Sequence, residues 1–448
     1  MSNSSSFYSD KKQKFILSPP AYLSLLYLSF ILLGTFGLML PFASFDGTSF
    51  HKALFTAVSA VTVTGLAIVD TGSHYTIFGQ IIIAFLIQLG GLGLMTFSVL
   101  VLSLLGVPIS THSRTLLRED LNQINLGTLL RLVSVIFKAV LFFEIIGALI
   151  LCIVFVPEFG LVDGVWHGIF HSISAFNNAG FALWPDSLMQ WQGSFLVNIT
   201  IPALFIIGGL GYSVIMEIWD KRAWHRLSLH AKLMLIGSGL LILFSFFFFA
   251  LLEWSNNRTL APLDLSTKVL SSWFQAVTTR TAGFNSLDIA ALEDSTTFMM
   301  MPLMVIGGGS TSTAGGIKVT TLAIMLLAAV AFFKQKNQIA VFGKSIGLEE
   351  VFKAMAIITI SLILIVSALF LLTATHDLPF LDIAFEVCSA FGTVGLSRGI
   401  TGELNQFGQY VIMIVMFLGR VGPLALGFFL ATKVISRVRY PSERVLLG

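Results

Sequence analysis

Four stretches of this chain, each too short to cross a bilayer, end in a glycine that follows small or hydroxylated residues. They run from Phe55 to Leu66, Phe170 to Phe181, Trp273 to Phe284 and Phe385 to Leu396. Each has an aromatic residue ten positions before its glycine (Gly65, Gly180, Gly283 or Gly395) and Leu or Phe just after it. The residues leading into the glycines are Thr62, Val63 and Thr64, then Asn178 and Ala179, then Thr281 and Ala282, then Thr393 and Val394. They supply no nucleophile and base, so the chemistry they offer is that of the backbone. Rings of backbone carbonyls can replace the hydration shell of a bare ion without adding a fixed charge that would hold it too tightly to leave. Glycine suits such a place because it reaches φ > 0 and leaves the axis unblocked. Short helices before the loops would aim their partially negative ends at the centre, which favours a cation.

Elements of a membrane protein must position these loops. Hydrophobic residues are 56% and charged residues 11% of 448, against about 25% charged in soluble domains. That composition excludes a soluble enzyme, a disordered chain and a nucleic-acid binder. Eight segments offer the ~20 apolar residues a spanning helix needs: 21–43, 75–105, 130–156, 191–217, 230–252, 296–333, 349–375 and 405–433. One glycine stretch lies between the members of each consecutive pair. The glycines are 115, 103 and 112 residues apart, close to a quarter of the chain. A second series (Gly90-Gly-Leu-Gly, Gly208-Gly-Leu-Gly, Gly307-Gly-Gly-Ser and Gly419-Arg-Val-Gly) follows the loop glycines by 25, 28, 24 and 24 residues. The first two of these read as close helix packing.

The expected fold is therefore an all-α polytopic membrane protein of four tandem helix–pore-helix–loop–helix repeats, with eight spanning helices and four re-entrant pore loops around a pseudo-fourfold central pore. Its divisions are a cytoplasmic tail 1–20, repeat 1 at 21–105, a connection 106–129, repeat 2 at 130–218, a connection 219–229, repeat 3 at 230–335 with a broken second helix, a connection 336–348, repeat 4 at 349–435 and a tail 436–448. The N-terminal tail, the connections counted more widely as near 106–131, 218–232 and 318–353, and the residues after 432 carry 19 Lys and Arg with 8 acids, and the loop-bearing side 5 with 14. Basic connections lie in the cytoplasm, so both termini are expected inside and the outer face concentrates cations. Irregular backbone at membrane depth must be buried in protein or line a water-filled cavity, and four quasi-equivalent loops converge on one axis.

At these residues the chain resembles the Trk/Ktr/HKT superfamily of potassium transporters, most of all the bacterial Ktr membrane subunit. The resemblance spans essentially the whole chain and rests on Thr62 to Leu66, Asn177 to Phe181, Thr279 to Phe284 and Gly392 to Ser397. It implies potassium uptake across the bacterial plasma membrane, with K+ held by carbonyls at Gly65, Gly180, Gly283 and Gly395. It also implies a homodimer with a pore in each protomer and a cytoplasmic ring of nucleotide-binding (RCK-type) regulatory subunits, with no nucleotide on this chain. In the family, glycine in all four loops goes with potassium and serine in the first with sodium. Sodium as a coupled or activating ion is left open. The third loop departs from the Ser-Ala pair of the others, having Val277-Thr278, and this is expected not to touch the glycine.

Gly307, Gly308, Gly309, Ser310, Thr311, Ser312, Thr313, Ala314, Gly315 and Gly316 interrupt an apolar run with nothing larger than Thr. Glycines cost roughly 1 kcal/mol each relative to Ala in a helix, so a loop is expected here. The resemblance makes it a gate beneath the filter, with Arg420 projecting toward it as barrier and anchor; a charge at that depth normally faces a cavity. Arg280 is expected to brace the third loop through an acidic partner, and Glu144 and Lys138 to pair with neighbouring helices.

Enzymatic readings fail on their residues. There is no GxSxG; His167 and His171 lack the glutamate of HExxH; Gly343-Lys344-Ser345 ends like a P-loop, but Gln338 stands where its first glycine belongs; and Gly91-Leu-Gly93 lacks the third glycine of a dinucleotide fingerprint. Cys152 and Cys388 lie far apart in apolar surroundings. The first apolar stretch reads as an anchor helix and not as a signal peptide. The competing class is an alternating-access secondary cation transporter or symporter with broken helices.

Overall fold

The computed structural model describes residues 19–93 and 126–422, so the tails, the connection at 106–125 and the far ends of the spans expected at 75–105 and 405–433 lie outside the described residues. The described fold is almost wholly helical. Helices α1 (Pro19–Leu38), α2 (Phe50–Val61) and α3 (Ile77–Leu92) come first, then α4 (Leu126–Phe159), α5 (Leu161–Phe176), α6 (Phe195–Leu210) and α7 (Tyr212–Lys221). They are followed by α8 (Leu229–Glu253), α9 (Leu265–Thr278), α10 (Asp294–Val305) and α11 (Val319–Phe333), and by α12 (Leu348–Thr375), α13 (Phe380–Gly392) and α14 (Gln406–Val421). A hairpin of β1 (Ile339–Val341) and β2 (Lys344–Ile346), in antiparallel register with Ala340 opposite Ser345, joins α11 to α12.

Among the described residues, α4, α8 and α12 are each long and apolar enough to cross a membrane. Their outward side chains, such as Leu240, Leu243, Phe247 and Leu251 of α8, are exposed and apolar, as lipid contact requires. The short helices α2, α5, α9 and α13 lie inside this shell. Every residue from Ile383 to Gly392 of α13 is buried, and so are Thr56, Ser59, His171, Ser174, Gln275 and Glu386 on the four short helices. Polar side chains buried at this density need partners, and those partners build the site.

Entry angles follow from capping. Ser49 accepts from the Lys52 N–H at the start of α2, Asp264 from Ser266 and Thr267 at α9, and Ser228 from Ala231 at α8. Each such cap contributes about 1 kcal/mol.

The span expected at 191–217 is not one helix. It breaks at Gly211, and α6 and α7 meet at 92°. Gly211 sits at φ 97°, ψ 131°, a region essentially closed to residues with a Cβ. Gly93 and Gly422, the last members of the corresponding Gly-rich motifs, end α3 and α14 in nearly the same conformation. The series read as packing glycines is therefore also a series of helix ends. The break expected in the third unit is present between α10 and α11, where residues 306–318 leave the helix.

Candidate functional site

The four short helices deliver their glycines to one place. A Cβ on Gly65 would strike the Ala179 carbonyl, one on Gly180 the Ala282 carbonyl at 3.0 Å, one on Gly283 the Val394 carbonyl, and one on Gly395 the Thr64 carbonyl. The contacts run from first loop to second, third, fourth and back to the first, so the ring is closed. All four glycines have positive φ, 92°, 68°, 78° and 93° in chain order. No L-residue side chain could occupy these positions without meeting the neighbouring loop's backbone.

Two positions earlier in every loop a residue with a side chain also takes positive φ: Val63 at 57°, Asn178 at 58°, Thr281 at 63° and Thr393 at 50°. For Val and Thr this is a strained conformation costing of order 1–3 kcal/mol. The paired left-handed residues turn the backbone sharply at the end of each short helix. Sequence reasoning missed these turns, because β-branched residues give no signal for φ > 0.

Hydroxyls then fix the loops to their own helices. Ser59 Oγ accepts from the Gly65 N–H at 3.0 Å and Ser389 Oγ from the Gly395 N–H at 3.1 Å. In the middle loops Ser174 and Thr278 instead donate to the carbonyls of Phe181 and Phe284, at 2.7 and 2.6 Å. Thr278 stands one residue later in register than the serines. The departure at Val277-Thr278 is thus repaired by moving the hydroxyl along the helix, and as expected it does not touch the glycine.

Beyond the ring, a buried polar residue eight or nine positions before the glycine holds the departing segment in three loops. His171 Nε2 accepts from the Leu183 N–H at 3.3 Å, while its Nδ1 lies 2.8 Å from the His167 carbonyl. Glu386 accepts from Ser397 at 2.7 Å and Thr401 at 2.5 Å. Gln275 faces the N–H groups of Ser286 and Leu287. In the first loop the equivalent Thr56 accepts from the Tyr75 hydroxyl at 3.1 Å. Among the described residues no group of His, Cys, Asp or Glu could hold a metal ion, and His171 serves the backbone. The signal that could have found these residues is the alignment column of Thr56, His171 and Glu386, nine positions before the glycine, with Gln275 one position later in the third loop where the column holds Phe274.

Residues 307–316 fold against the loops. Their ends are zipped by Gly307 N–H to Ile317 O at 2.8 Å and Ile317 N–H to Val305 O at 3.0 Å. Gly309 N–H donates to Gly209 O at 2.8 Å and Thr313 N–H to Gly208 O at 3.3 Å. The Thr313 hydroxyl donates to Asn178 Oδ1 at 2.7 Å, and Gly315 lies against the Thr393 side chain. Tyr212 N–H, just past the bend, donates to Thr311 O at 3.0 Å. Arg420 donates from Nη1 to the Thr313 carbonyl and from Nη2 to the Gly90 carbonyl. Lys318 Nζ donates to the Ala314 carbonyl at 2.6 Å, so two cations grip consecutive carbonyls of one loop. Sequence reasoning singled out only Arg420.

One expectation needs correction. Arg280 does not meet an acid: its guanidinium donates to Ser238 O and Oγ, both at 3.1 Å. Glu144 pairs with a neighbouring helix, accepting from Asn177 at the end of α5 at 2.9 Å, whereas Lys138 lies on an exposed face of α4. The Gly-rich second helices are close-packed for a specific reason: Gly90, Gly208 and Gly419 lie against the carbonyls of Val61, Phe176 and Phe391, each four residues before a loop glycine. A carbonyl at the frayed end of a short helix can approach only where the facing residue has no side chain.

Residues 22–436 match the family model described as TrkH, cation transport protein. The chain belongs to that family. Within it, the chain is 45% identical over 440 residues to the Ktr system potassium uptake protein B of Bacillus subtilis, covering 98% of this chain and 99% of that protein. It is 42% identical to the protein of the same name from Vibrio alginolyticus, covering 98% and 97%. It is 38% identical to the potassium/sodium uptake protein NtpJ of Enterococcus hirae, covering 96% and 98%. Its fold matches the crystal structure of the potassium transporter TrkH from Vibrio parahaemolyticus with a TM-score of 0.72, at 20% identity over 94% of this chain and 87% of that one. Members of this family are ion transporters in membranes and not enzymes, in keeping with the absence of catalytic constellations from the sequence.

Proposed function

We propose that this chain takes up potassium across the bacterial plasma membrane through the ring of Gly65, Gly180, Gly283 and Gly395, with K+ coordinated by the carbonyls of the four loops. The observation that carries this reading is the closed cycle of glycine-to-carbonyl contacts at Ala179, Ala282, Val394 and Thr64. Such a cycle brings four backbone carbonyls together around four residues that have no side chain, which suits the replacement of a hydration shell. Relatives named for potassium uptake at 45% and 42% identity support the choice of ion. A relative named for potassium and sodium makes Na+ the second ion to test.

In this reading residues 307–316 form the gate and Arg420 its barrier and anchor. In the same reading the chain is divided into four repeats, with the basic connections facing the cytoplasm and both termini inside. The relatives' Ktr system name supports a separate regulatory subunit, here a nucleotide-binding ring beneath a homodimer. The test is isotope uptake in a potassium-uptake-deficient bacterium carrying the chain with its partner, beside Gly65→Ser. Growth rescue by the wild type and loss of potassium preference in the variant are expected. No rescue would defeat the potassium reading, and an unchanged ion preference would remove the ring from selection. Arg420→Ala or deletion of 309–315 should raise flux at equal expression; unchanged rates in both would sink the gate.

A further inference from the structure

Away from the ring, the chain carries an exposed aromatic and basic rim that ion selection does not use. After the 92° bend, residues 218–226 are exposed throughout except Ala223, while Leu227 is buried and pins the segment down. Trp219 is 71% and Trp224 50% exposed, and Lys221, Arg222 and Arg226 stand between and beside them. Arg222 takes a left-handed conformation, φ 48°, and its Nε donates to Trp219 O at 3.3 Å. At the start of α8, Lys232 Nζ lies 5.7 Å above the ring of Phe342. That contact joins the segment to a second one, where Phe332 and Phe333 are exposed beside Lys334, Lys336 and Lys344.

The charge is one-sided. These two segments and the start of α8 hold seven Lys and Arg against Glu217 and Asp220, and Glu217 is already engaged by Lys221 at 2.5 Å and by Ser228 N–H and Oγ at 2.6 and 2.7 Å. Depth follows from α8. Its 25 residues span about 37 Å at 1.5 Å per residue, more than the ~30 Å hydrocarbon core, and its sides are exposed and apolar. The residues just before Leu229 therefore lie at headgroup level. Exposed Trp among Lys and Arg at that level suits the bilayer interface, and the surplus of cations suits anionic headgroups.

We propose that residues 218–226, with Phe332 to Lys344, form a binding site for anionic phospholipid headgroups. The site stands apart from the choice of ion. It is tested on the full-length chain in nanodiscs of phosphatidylcholine and phosphatidylglycerol in equal parts, one or the other brominated near the glycerol, by quenching of tryptophan fluorescence. Trp219→Phe/Trp224→Phe supplies the signal of the other five tryptophans, which is subtracted. The difference signal should be quenched more by brominated phosphatidylglycerol. The excess should fall with salt, and the apparent affinity about fivefold for each basic side chain removed in Arg222→Gln/Arg226→Gln. Equal quenching by the two lipids overturns the proposal. Absence of quenching by either also overturns it, since a second copy would then cover the tryptophans. If the arginine variant does not fold, the wild-type comparison alone decides. The ion preference of a folded variant should stay unchanged, which keeps this outcome separate from any failure of the ring.

Discussion

The first and fourth glycine loops differ from the second and third in how one hydroxyl is spent. In the outer pair it accepts from the glycine's own N–H; in the inner pair it donates to the carbonyl after the glycine. The residue at that carbonyl is Leu66 or Leu396 in the first case and Phe181 or Phe284 in the second. In space the two pairs are two halves of the ring, since Gly395 lies against Gly65 and Gly180 against Gly283. The same glycine geometry is therefore reached by two local hydrogen-bonding schemes. What the halves share is contact between loops, so the ring is set by its neighbours and only trimmed by its own helices.

The largest effect should ignore the difference. Gly65→Ala and Gly180→Ala, one from each half, add strain of about 1–3 kcal/mol as well as a collision with a neighbouring carbonyl. Both should lower potassium uptake more than about tenfold, measured by isotope flux at equal expression. Survival of one half alone would break the claim that the loops set one another.

Next in size are the holds outside the ring. Glu386→Ala removes the acceptor of Ser397 and Thr401, and His171→Ala removes that of the Leu183 N–H. Glu386 accepts two hydrogen bonds where His171 accepts one, each contributing about 0.5–1.5 kcal/mol, so Glu386→Ala should lower the unfolding free energy in detergent more than His171→Ala. The reverse order would mean that the aromatic packing of His171 on Trp184, with rings 4.3 Å apart, outweighs the carboxylate.

The hydroxyls come third. Ser59→Ala and Ser389→Ala strip a partner from an N–H, and orphaned buried N–H groups are tolerated less than under-satisfied carbonyls. These variants should cost about 1–3 kcal/mol and Ser174→Ala about half as much, by the same denaturation measurement. Equal losses in both halves would erase the distinction. The smallest effect is Thr278→Ser, which keeps the donor and should stay within about 0.5 kcal/mol of wild type. Val277→Ser/Thr278→Ala moves the hydroxyl to the register of Ser174, which donates to the equivalent Phe181 carbonyl, and should therefore recover most of that stability.

Much of this site could be read from residue order. Four glycines at near-regular spacing, a polar run that no helix tolerates at 307–316 and a lone arginine at 420 are local facts, visible without knowing what each one meets. Misreadings arose where a partner had to be guessed. Arg280 meets Ser238 because α8 happens to pass the third loop with a hydroxyl at that height, and no local rule names it. Gly211 was read as packing, since a glycine that ends a helix and one that merely packs look alike in an apolar run. Lys318 was counted only as a basic residue of a connection, although it reaches back to Ala314 O within one turn.

By itself the sequence determined that the protein lives in a membrane, that its irregular backbone falls at four glycines, and that one helix must break, because composition, spacing and helix propensity act along the chain. Only the tertiary structure decided that the glycines form a cycle in chain order, which carbonyl each one faces, and that Arg420 joins Thr313 to Gly90. Those contacts link residues a hundred or more positions apart. Their energy comes from close approach and from satisfying buried backbone groups, and neither exists until the segments meet.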